Sequence, residues 1–177
     1  MKTYLEIQVP LRYNASWFQE LRLACRNIDV KWQMAYFHIT MVFIDETPED
    51  VDLCPLLEKH LKTFPSPTLT FDKLDAFTAM SGMQIIYLTA TDIPDSFLSL
   101  IENIRSDLKD AGCIIDSWFR LHVTLGRVKD PDVQLLPLQE LVKSVPLPSF
   151  SLSLTDVDYR VFRGKTIYET QLDSNNI

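Results

Sequence analysis

A weak internal repeat constrains the fold of this 177-residue sequence more than any other feature. His38-Ile39-Thr40 recurs 84 residues later as His122-Val123-Thr124. Three further landmarks recur in the same order at spacings of 82 or 83 residues: a proline at a helix-start signal, an aspartate that ends a strand-like segment, and a glycine before an apolar segment (Pro48 and Pro131, Asp75 and Asp158, Gly82 and Gly164). Four landmarks in one order at nearly one period indicate two copies of one unit.

Each copy is predicted to contain both strands and helices. Segments rich in alternating or β-branched apolar residues are predicted to be strands (residues 4–9, 36–44, 69–77, 83–90, 120–128, 150–158 and 166–172). Helices are expected to begin at Pro48 and Pro131 and to run over residues 94–111, where Gly112 provides a C-terminal stop. Pro137 should bend or shorten the helix that begins at Pro131.

These elements predict an α+β fold with pseudo-two-fold symmetry. The two copies, at about residues 1–81 and 82–172, should form two lobes, each a largely antiparallel sheet backed by helices. A central cleft is expected between the lobes, within a single domain that spans residues 1–177. Residues 173–177 are predicted to form a loose tail.

Composition limits the partners that such a protein can bind. The formal net charge of −7 argues against a grip on long duplex nucleic acid, but it permits a small phosphate ligand in a locally positive cleft. Early polar residues exclude a signal peptide, and no apolar run is long enough to span a membrane. The three cysteines form no CxxC pair, as is usual for free thiols in a reducing compartment. We therefore expect a cytoplasmic protein that acts as a monomer.

The two His-x-Thr motifs place reactive side chains on predicted strands. Because residues two apart in a strand point to the same face, His38 and Thr40 should project together, as should His122 and Thr124. The apolar residues between and after them should point into a core (Ile39, Met41 and Phe43 in the first strand, Val123 and Leu125 in the second). Pseudo-two-fold pairing of the lobes would make the two motifs face each other across the cleft.

Two facing imidazoles suit the cleavage of a phosphodiester. A neutral histidine takes a proton from the attacking water or hydroxyl group, and a protonated one donates a proton to the leaving oxygen. The threonine hydroxyls donate hydrogen bonds to the non-bridging phosphate oxygens. His38 and His122 are therefore the candidate acid–base pair, whereas His60 lies among charged residues on a helix and is expected on a solvated face.

The residues around the motifs resemble those of the two-histidine (2H) phosphoesterase superfamily, in the branch of 2′-5′ RNA ligase-like proteins and RNA 2′,3′-cyclic phosphodiesterases. Phe37-His38-Ile39-Thr40-Met41 is similar to the first family motif, and Leu121-His122-Val123-Thr124-Leu125 is similar to the second. Pro10 after the opening strand, Trp32 before the first motif and the closing segment Gly164-Lys165-Thr166-Ile167-Tyr168-Glu169 are also similar. The resemblance thus covers nearly the whole chain.

This resemblance implies a bilobal 2H phosphoesterase fold and a metal-independent phosphodiesterase. It implies that His38 and His122 are catalytic and that Thr40 and Thr124 bind the phosphate. The implied substrates are 2′,3′-cyclic phosphates or 2′-5′ linkages of RNA and nucleotides, with 2′-5′ RNA ligation as the reverse activity. The implied partner is a small nucleotide or an RNA end.

Further side chains are candidates for substrate binding. Arg127 matches an arginine that is common after the second motif, but strict alternation places it on the face opposite that motif. A β-bulge or twist near Gly126 would return it to the cleft. Aromatic side chains are candidates for stacking on a base (Tyr168, Trp32, Trp118 and Tyr36).

Two other interpretations of the histidine pair stay open. Metal ligation is one, but no HxxxH, HExxH or Cys-His cluster accompanies the histidines, and we predict that the protein uses no metal and no other cofactor. The other is a non-catalytic module that binds a nucleotide or an RNA end in the same cleft. The presence of both histidines and both threonines favours the enzyme over this module.

Overall fold

The structure is a computed structural model that describes residues 1–173. Within this range the chain forms eleven strands and four helices. The strands are β1 (Thr3–Gln8), β2 (Val30–Trp32), β3 (His38–Glu46), β4 (Thr68–Phe71), β5 (Lys73–Thr78), β6 (Gln84–Thr89), β7 (Ile114–Ile115), β8 (Val123–Val128), β9 (Phe150–Ser153), β10 (Asp156–Val161) and β11 (Thr166–Gln171). The helices are α1 (Ser16–Ala24), α2 (Cys54–Leu61), α3 (Asp95–Asp110) and α4 (Leu135–Lys143).

Nine of these strands form one antiparallel sheet. Its order is β11-β10-β1-β3-β8-β6-β5, with β7 paired to β3 and β2 paired to β8. Within residues 1–173, β3 and β8 pair at a single position, Ile39 with Val123, so the sheet consists of two half-sheets that meet there. β4 and β9 form a separate two-stranded sheet. The two sheets expected from the repeat are thus the two halves of one sheet.

Each half-sheet contains strands from both copies of the repeat. In the first half-sheet, β1 and β3 from the first copy join β7, β10 and β11 from the second. In the other half-sheet, β6 and β8 from the second copy join β2 and β5 from the first. The expected boundary near residue 81 lies in the turn between β5 and β6, where Gly82 has a left-handed φ of +82°. The two copies in the sequence therefore do not correspond one to one to the two half-sheets, because the copies exchange strands.

Two of the predicted strands are each divided in the structure. Residues 69–77 belong to β4 and β5, and residues 150–158 belong to β9 and β10, so each segment contributes to both sheets. The apolar residues of this segment alternate at odd-numbered positions up to Phe71 and at even-numbered positions from Leu74. This change of phase is the sign in the sequence that one strand has ended.

Helices α2 and α4 begin later than the sequence predicts. Pro48 precedes a turn and Pro131 lies in one, and the helices begin at Cys54 and Leu135. Each helix has a proline within its first turn, where the missing N–H has no helical partner to lose (Pro55 in α2 and Pro137 in α4). The helix expected from Pro131 is therefore shortened at its start, as the prediction for Pro137 allowed, and Pro137 lies in its first turn rather than at a bend.

The predicted C-terminal tail is held at its first residue. The Asp173 N–H donates to the Phe64 carbonyl (3.1 Å), and the Asp173 carbonyl accepts a hydrogen bond from the Ser66 N–H (2.8 Å). Asp173 is therefore part of the folded chain. The rest of the predicted tail, residues 174–177, lies outside the described residues.

His60 does not lie on a solvated face. Its side chain is 14% exposed, and its Nε2 lies 2.7 Å from Oδ2 of Asp107 on α3. Lys59 reaches the same carboxylate at 3.0 Å. The expectation was wrong because α2 packs against α3 through the face that carries His60.

One apolar core joins the two half-sheets to the helices. Buried side chains from both half-sheets and from the helices of the described chain belong to a single cluster (Leu5, Ile7, Ile39, Val123 and Leu125 from strands; Phe18, Leu57, Ile101 and Leu138 from helices). The helices therefore cover one face of the large sheet and leave the other face available for a site. Among residues 1–173, no helix has the length and apolar character needed to cross a membrane.

Replacing Gly126 with alanine should destabilise this fold. Gly126 pairs with Trp32, and an added Cβ would lie 2.6 Å from Val30 Cγ1 and 2.8 Å from Trp32 Cε3. Both side chains pack against the core, so β2 would have to move. We expect the free energy of unfolding, measured by urea denaturation, to fall by about 1–3 kcal/mol. Ser81→Ala, in an exposed turn, should change it by less than about 0.5 kcal/mol. Equal losses in the two variants would contradict this packing.

Candidate active site

The strands that carry the two motifs meet where the half-sheets join. Ile39 of β3 and Val123 of β8 pair there, and both side chains are fully buried in the core. The residues on either side of this pair are partly exposed and point to the opposite face of the sheet (His38, Thr40, His122 and Thr124). Each histidine therefore projects from the open face together with its threonine.

The cross-strand register places the two motifs side by side. Extending this pair by one residue in each direction sets His38 opposite Thr124 and His122 opposite Thr40. The two histidines are then diagonal neighbours, whose Cα atoms in an antiparallel pair lie about 7–8 Å apart. Burial lowers the pKa of His38, and a positive charge on His122 adds to this effect.

A β-bulge in each half-sheet reverses the alternation after the threonine. The β1–β3 and β6–β8 registers each shift, and two successive residues are buried at each shift, Met41–Val42 in β3 and Leu125–Gly126 in β8. Phe43 and Arg127 therefore lie on the same face as the motifs. The expectation that Phe43 points into the core is wrong because strict alternation ignores the bulge. Strict alternation likewise placed Arg127 on the opposite face, and the bulge that would return it to the cleft is present next to Gly126.

Arg127 supplies positive charge to this face. Burial lowers the pKa of both His38 and His122, and the charge of the Arg127 guanidinium adds to this effect. The arginine is partly exposed and follows the second motif directly on β8. A cation at this position favours an anionic group between the two histidines.

His122 lies among aromatic rings and arginines. Its Nδ1–H donates a hydrogen bond to the Arg120 carbonyl oxygen (2.9 Å), since a carbonyl can only accept. The neutral ring therefore has its lone pair on Nε2. The ring centroids of Phe77 and Tyr87 lie 5.4 Å and 6.2 Å from that of His122. Burial lowers the pKa of His122, and the charges of Arg120 and Arg127 add to this effect, whereas the carbonyl hydrogen bond opposes it.

His38 lies beside a buried carboxylate. Its Nε2 is 3.3 Å from Oε2 of Glu6, and its side chain is 26% exposed. The rings of Tyr36 and Tyr4 lie 5.4 Å and 6.2 Å from the His38 ring. Burial, followed by the charges of neighbouring cations, lowers the pKa of His38 to about 4 (His122, Arg127 and Arg160).

Glu6 is a site residue that the sequence pattern did not identify. It interrupts the apolar residues of β1 and shares a face with Tyr4 and Gln8, which is the one local sign of a special role. Its partners lie far along the chain: His38 on β3, Arg160 on β10, and Tyr36 just before β3. The contacts of a carboxylate in the first strand can be recognised only when the positions of those distant residues are known.

A cavity of about 710 Å³ opens beside His122. Its lining includes the rings of Phe43, Phe77 and Trp118 and the side chain of Arg120. The Arg120 guanidinium lies 4.7 Å from the Phe77 ring centroid and 4.5 Å from that of Trp118. Trp118 is 57% exposed, so a face of its ring is available for stacking. Aromatic and guanidinium planes beside a candidate catalytic histidine suit a planar nucleobase.

Trp32 and Tyr168 lie away from the two motifs. The Trp32 ring packs over Gly126 and edge-on to Phe18, with 5.8 Å between the latter ring centroids. Tyr168 lies on β11 and pairs with Tyr159 on β10. β11 is an edge strand that β10 and β1 separate from β3. Both residues pack against the core, so their binding to substrate stays a prediction that this geometry does not favour.

Metal ligands are sparse around the motifs. Among residues 1–173, no group of three or more histidine, cysteine, aspartate or glutamate side chains is arranged to hold a metal ion. His38 lies against the Glu6 carboxylate, and His122 donates to a backbone carbonyl. A mechanism without a metal therefore stays our prediction.

Comparison with known proteins identifies the family. Residues 11–166 match the sequence model of the 2′-5′ RNA ligase superfamily. The chain belongs to this superfamily. The membership in the two-histidine phosphoesterases that the motifs predict is thereby confirmed. An RNA 2′,3′-cyclic phosphodiesterase of Thermotoga maritima is 25% identical to this superfamily member over 191 aligned positions, which cover 100% of this chain and 98% of that protein. Together these matches support a phosphoesterase activity.

Solved structures share the fold of this 2′-5′ RNA ligase superfamily member. Escherichia coli LigT in complex with 3′-AMP superposes with a TM-score of 0.56 at 19% identity, over 97% of this chain and 95% of that chain. A Thermus thermophilus protein gives a TM-score of 0.61 at 17% identity, over 99% and 100%. Usb1 of Kluyveromyces marxianus gives 0.65 at 11% identity, over 97% and 98%. The predicted α+β fold of the two-histidine phosphoesterases is thus confirmed.

Proposed function

We propose that this protein is a metal-independent phosphodiesterase that hydrolyses 2′,3′-cyclic phosphates or 2′-5′ linkages of nucleotides and RNA ends. The observation that carries the proposal is the meeting of both His-x-Thr motifs around the Ile39–Val123 pair. The relative from T. maritima is an RNA 2′,3′-cyclic phosphodiesterase, and E. coli LigT has been solved with 3′-AMP. Both support a nucleotide substrate for the site.

The reaction begins when one imidazole takes a proton from water and the water oxygen bonds to phosphorus. The bond from phosphorus to a ribose oxygen breaks, and that oxygen takes a proton from the other imidazole. The hydroxyls of Thr40 and Thr124 and the guanidinium of Arg127 stabilise charge on the non-bridging oxygens. With an RNA 5′-hydroxyl in place of water, the same groups would join two RNA ends through a 2′-5′ linkage.

The cavity beside His122 supports a nucleoside rather than a bare phosphodiester. Trp118 offers an exposed indole face, and the Arg120 guanidinium lies against it. A base stacked there would hold the ribose phosphate against His122, which lines the same cavity. Stacking accepts any base, so the geometry favours a broad range of nucleosides.

Incubation with the four nucleoside 2′,3′-cyclic phosphates tests the proposal. We expect conversion to nucleoside 2′- or 3′-monophosphates, resolved by chromatography. Addition of EDTA should change the rate by less than about twofold, because no step needs a Lewis acid. Loss of activity on chelation, restored by zinc or manganese, would contradict the metal-independent mechanism.

Calorimetry combined with this assay distinguishes an enzyme from a binding module. Calorimetry with each cyclic phosphate and with a 2′-5′ dinucleotide reports binding independently of turnover. Binding without hydrolysis of any of them would overturn the proposal in favour of a non-catalytic module that binds nucleotides or RNA ends.

A further inference from the structure

Three aromatic side chains form a patch on the open face of the first half-sheet (Tyr4, Phe43 and Phe162, here called the aromatic patch). Tyr4 of β1 lies opposite Phe43 of β3, and their rings are stacked, with 6.3 Å between centroids and 8° between planes. Phe162, directly after β10, lies edge-on to both rings, with centroids 5.4 Å from Phe43 and 6.5 Å from Tyr4. The Tyr4 ring is 6.2 Å from that of His38, so the patch borders the candidate active site.

The aromatic patch is open to solvent and continuous with the cavity beside His122. Phe162 is 44% exposed, and Tyr4 and Phe43 are partly exposed. Phe43 also lines the cavity, so a ligand can extend from the cavity onto the patch. The mechanism above uses neither Tyr4 nor Phe162. Large exposed apolar side chains that adjoin one another mark a binding surface more often than scattered ones do.

Cationic side chains accompany the rings of the patch. The Lys2 Nζ lies 5.9 Å from the Phe43 ring centroid, and the Arg163 guanidinium lies 5.1 Å from that of Phe162. Lys2 pairs with Asp45 at 2.7 Å, but both side chains are exposed, and a surface pair of this kind holds its partners only weakly. Cations beside exposed rings favour a ligand that combines flat groups with negative charge.

The turn that carries Phe162 and Arg163 has a backbone conformation that suits glycine. The Gly164 N–H donates to the Val161 carbonyl (2.9 Å), which closes a four-residue turn with Arg163 at its third position. Arg163 has a φ of +58°, in the left-handed region where glycine or asparagine is usual. The Phe162 N–H donates to the Lys2 carbonyl (2.9 Å), which fixes this turn against the start of β1. An arginine held in such a conformation points to a use for its side chain.

Flat groups that alternate with anionic ones are the chemistry of single-stranded RNA. Any base can stack on an aromatic ring, and a phosphodiester can pair with a cation. With the terminal nucleoside in the cavity at Trp118, its 5′ oxygen carries the phosphodiester that leads to the preceding nucleotide. Lys2 both lines the cavity and adjoins Phe43, so it is the cation that this phosphodiester would meet. The preceding base would then lie on the aromatic patch.

We propose that the aromatic patch binds the base of the nucleotide that precedes the terminal cyclic phosphate, with Lys2 and Arg163 at the phosphodiesters on either side of that nucleotide. This inference rests on the proposed phosphodiesterase function. It makes the end of an RNA strand a better substrate than a free nucleotide. Phe162 and Arg163 are then specificity-determining residues that hold a part of the substrate remote from the bond that breaks.

Two substrates that share a terminal nucleoside test the proposal. A dinucleotide that ends in a 2′,3′-cyclic phosphate should have a kcat/KM about 5- to 100-fold above that of the nucleoside 2′,3′-cyclic phosphate, the usual effect of stacking one base. The gain should lie in KM, because the preceding base binds equally in the ground state and the transition state. Phe162→Ala should lower the ratio of the two kcat/KM values by about fivefold or more.

Tyr13→Ala is the matched control. Tyr13 is 46% exposed, close to the value for Phe162, and its ring centroid also lies near an arginine, 5.8 Å from the Arg22 guanidinium. It belongs to the loop before α1 and not to the patch. Its replacement should leave the ratio of the two kcat/KM values unchanged. Equal kcat/KM for the two substrates in the wild-type protein, or a ratio that Phe162→Ala does not lower, would overturn the proposal.

Arg163→Gly tests the phosphate contact without straining the turn. Glycine adopts the left-handed conformation readily, so the turn should keep its shape. For a trinucleotide 3′-phosphate, the slope of log Kd against the logarithm of salt concentration should fall in magnitude by about 0.7. Arg22→Ala, which removes an arginine of α1 outside the patch, should leave this slope unchanged. An unchanged slope in Arg163→Gly would contradict the role given to Arg163.

Turnover and binding together separate this inference from the proposed function. Hydrolysis of the nucleoside cyclic phosphate with no preference for the dinucleotide would leave the proposed function standing and overturn the role of the patch. If the protein hydrolysed neither substrate, the proposed function would fail, and calorimetry with a nucleoside 3′-phosphate and a dinucleotide 3′-phosphate would decide the role of the patch. Binding of the dinucleotide about fivefold or more tighter would support it, and equal binding would overturn it.

Discussion

His38→Ala and His122→Ala should each lower kcat/KM for a nucleoside 2′,3′-cyclic phosphate by about 10²- to 10⁴-fold, the usual contribution of a general acid or base. The double variant should be little slower than the slower single variant, because both rings act on one phosphorus and their effects are not additive. Steady-state kinetics with chromatographic detection of the monophosphate product measures all three variants.

His60→Ala is the matched control for these substitutions. His60 contacts Asp107 between α2 and α3 and does not belong to β3 or β8. Its replacement should leave kcat/KM within about twofold of the wild-type value, as is usual for substitutions outside a site. Near-wild-type activity in His38→Ala or in His122→Ala would contradict the role given to that histidine.

Thr40→Val and Thr124→Val should each lower kcat by about 10²-fold, with a smaller change in KM. Valine keeps the branched shape of threonine, which suits a strand, and removes only the hydroxyl. The hydroxyls are proposed to bind oxygens whose charge grows in the transition state, so their removal should affect kcat more than binding.

Thr70→Val provides the comparison for the threonine variants. The Thr70 hydroxyl lies 2.7 Å from Oγ of Ser151 in the small β4–β9 sheet. Its replacement should leave both kinetic constants within about twofold, since the residue is outside the site. A raised KM with unchanged kcat in Thr40→Val or Thr124→Val would show uniform substrate binding and contradict the proposed role.

The repeat in the sequence predicted the parts of the fold and site that depend on local pattern. Two His-x-Thr motifs on strand-like segments predicted that each histidine shares a face with its threonine, which is the arrangement beside the Ile39–Val123 pair. Strand and helix types follow from periodicity, so α3 and most strands lie close to their predicted ranges.

Features that depend on pairing between distant strands could not be predicted in the same way. Strict alternation predicted that Phe43 points into the core. The bulge that places Phe43 on the open face is visible only in the register between β3 and β1. The exchange of β5 and β10 between half-sheets is equally invisible in a repeat, because a repeat shows similar units but not their partners. Glu6 belongs to the same class, since its contact with His38 exists only once β1 pairs with β3.

A crystal structure of the protein with a nucleoside 2′- or 3′-phosphate measures the geometry on which everything else depends. We predict one phosphate group between the two motifs, with a ring nitrogen of His38 and one of His122 each within about 3.2 Å of its oxygens. The hydroxyls of Thr40 and Thr124 should donate to the same group. A phosphate that contacted only one of the two histidines, or that bound away from the Ile39–Val123 pair, would contradict the account.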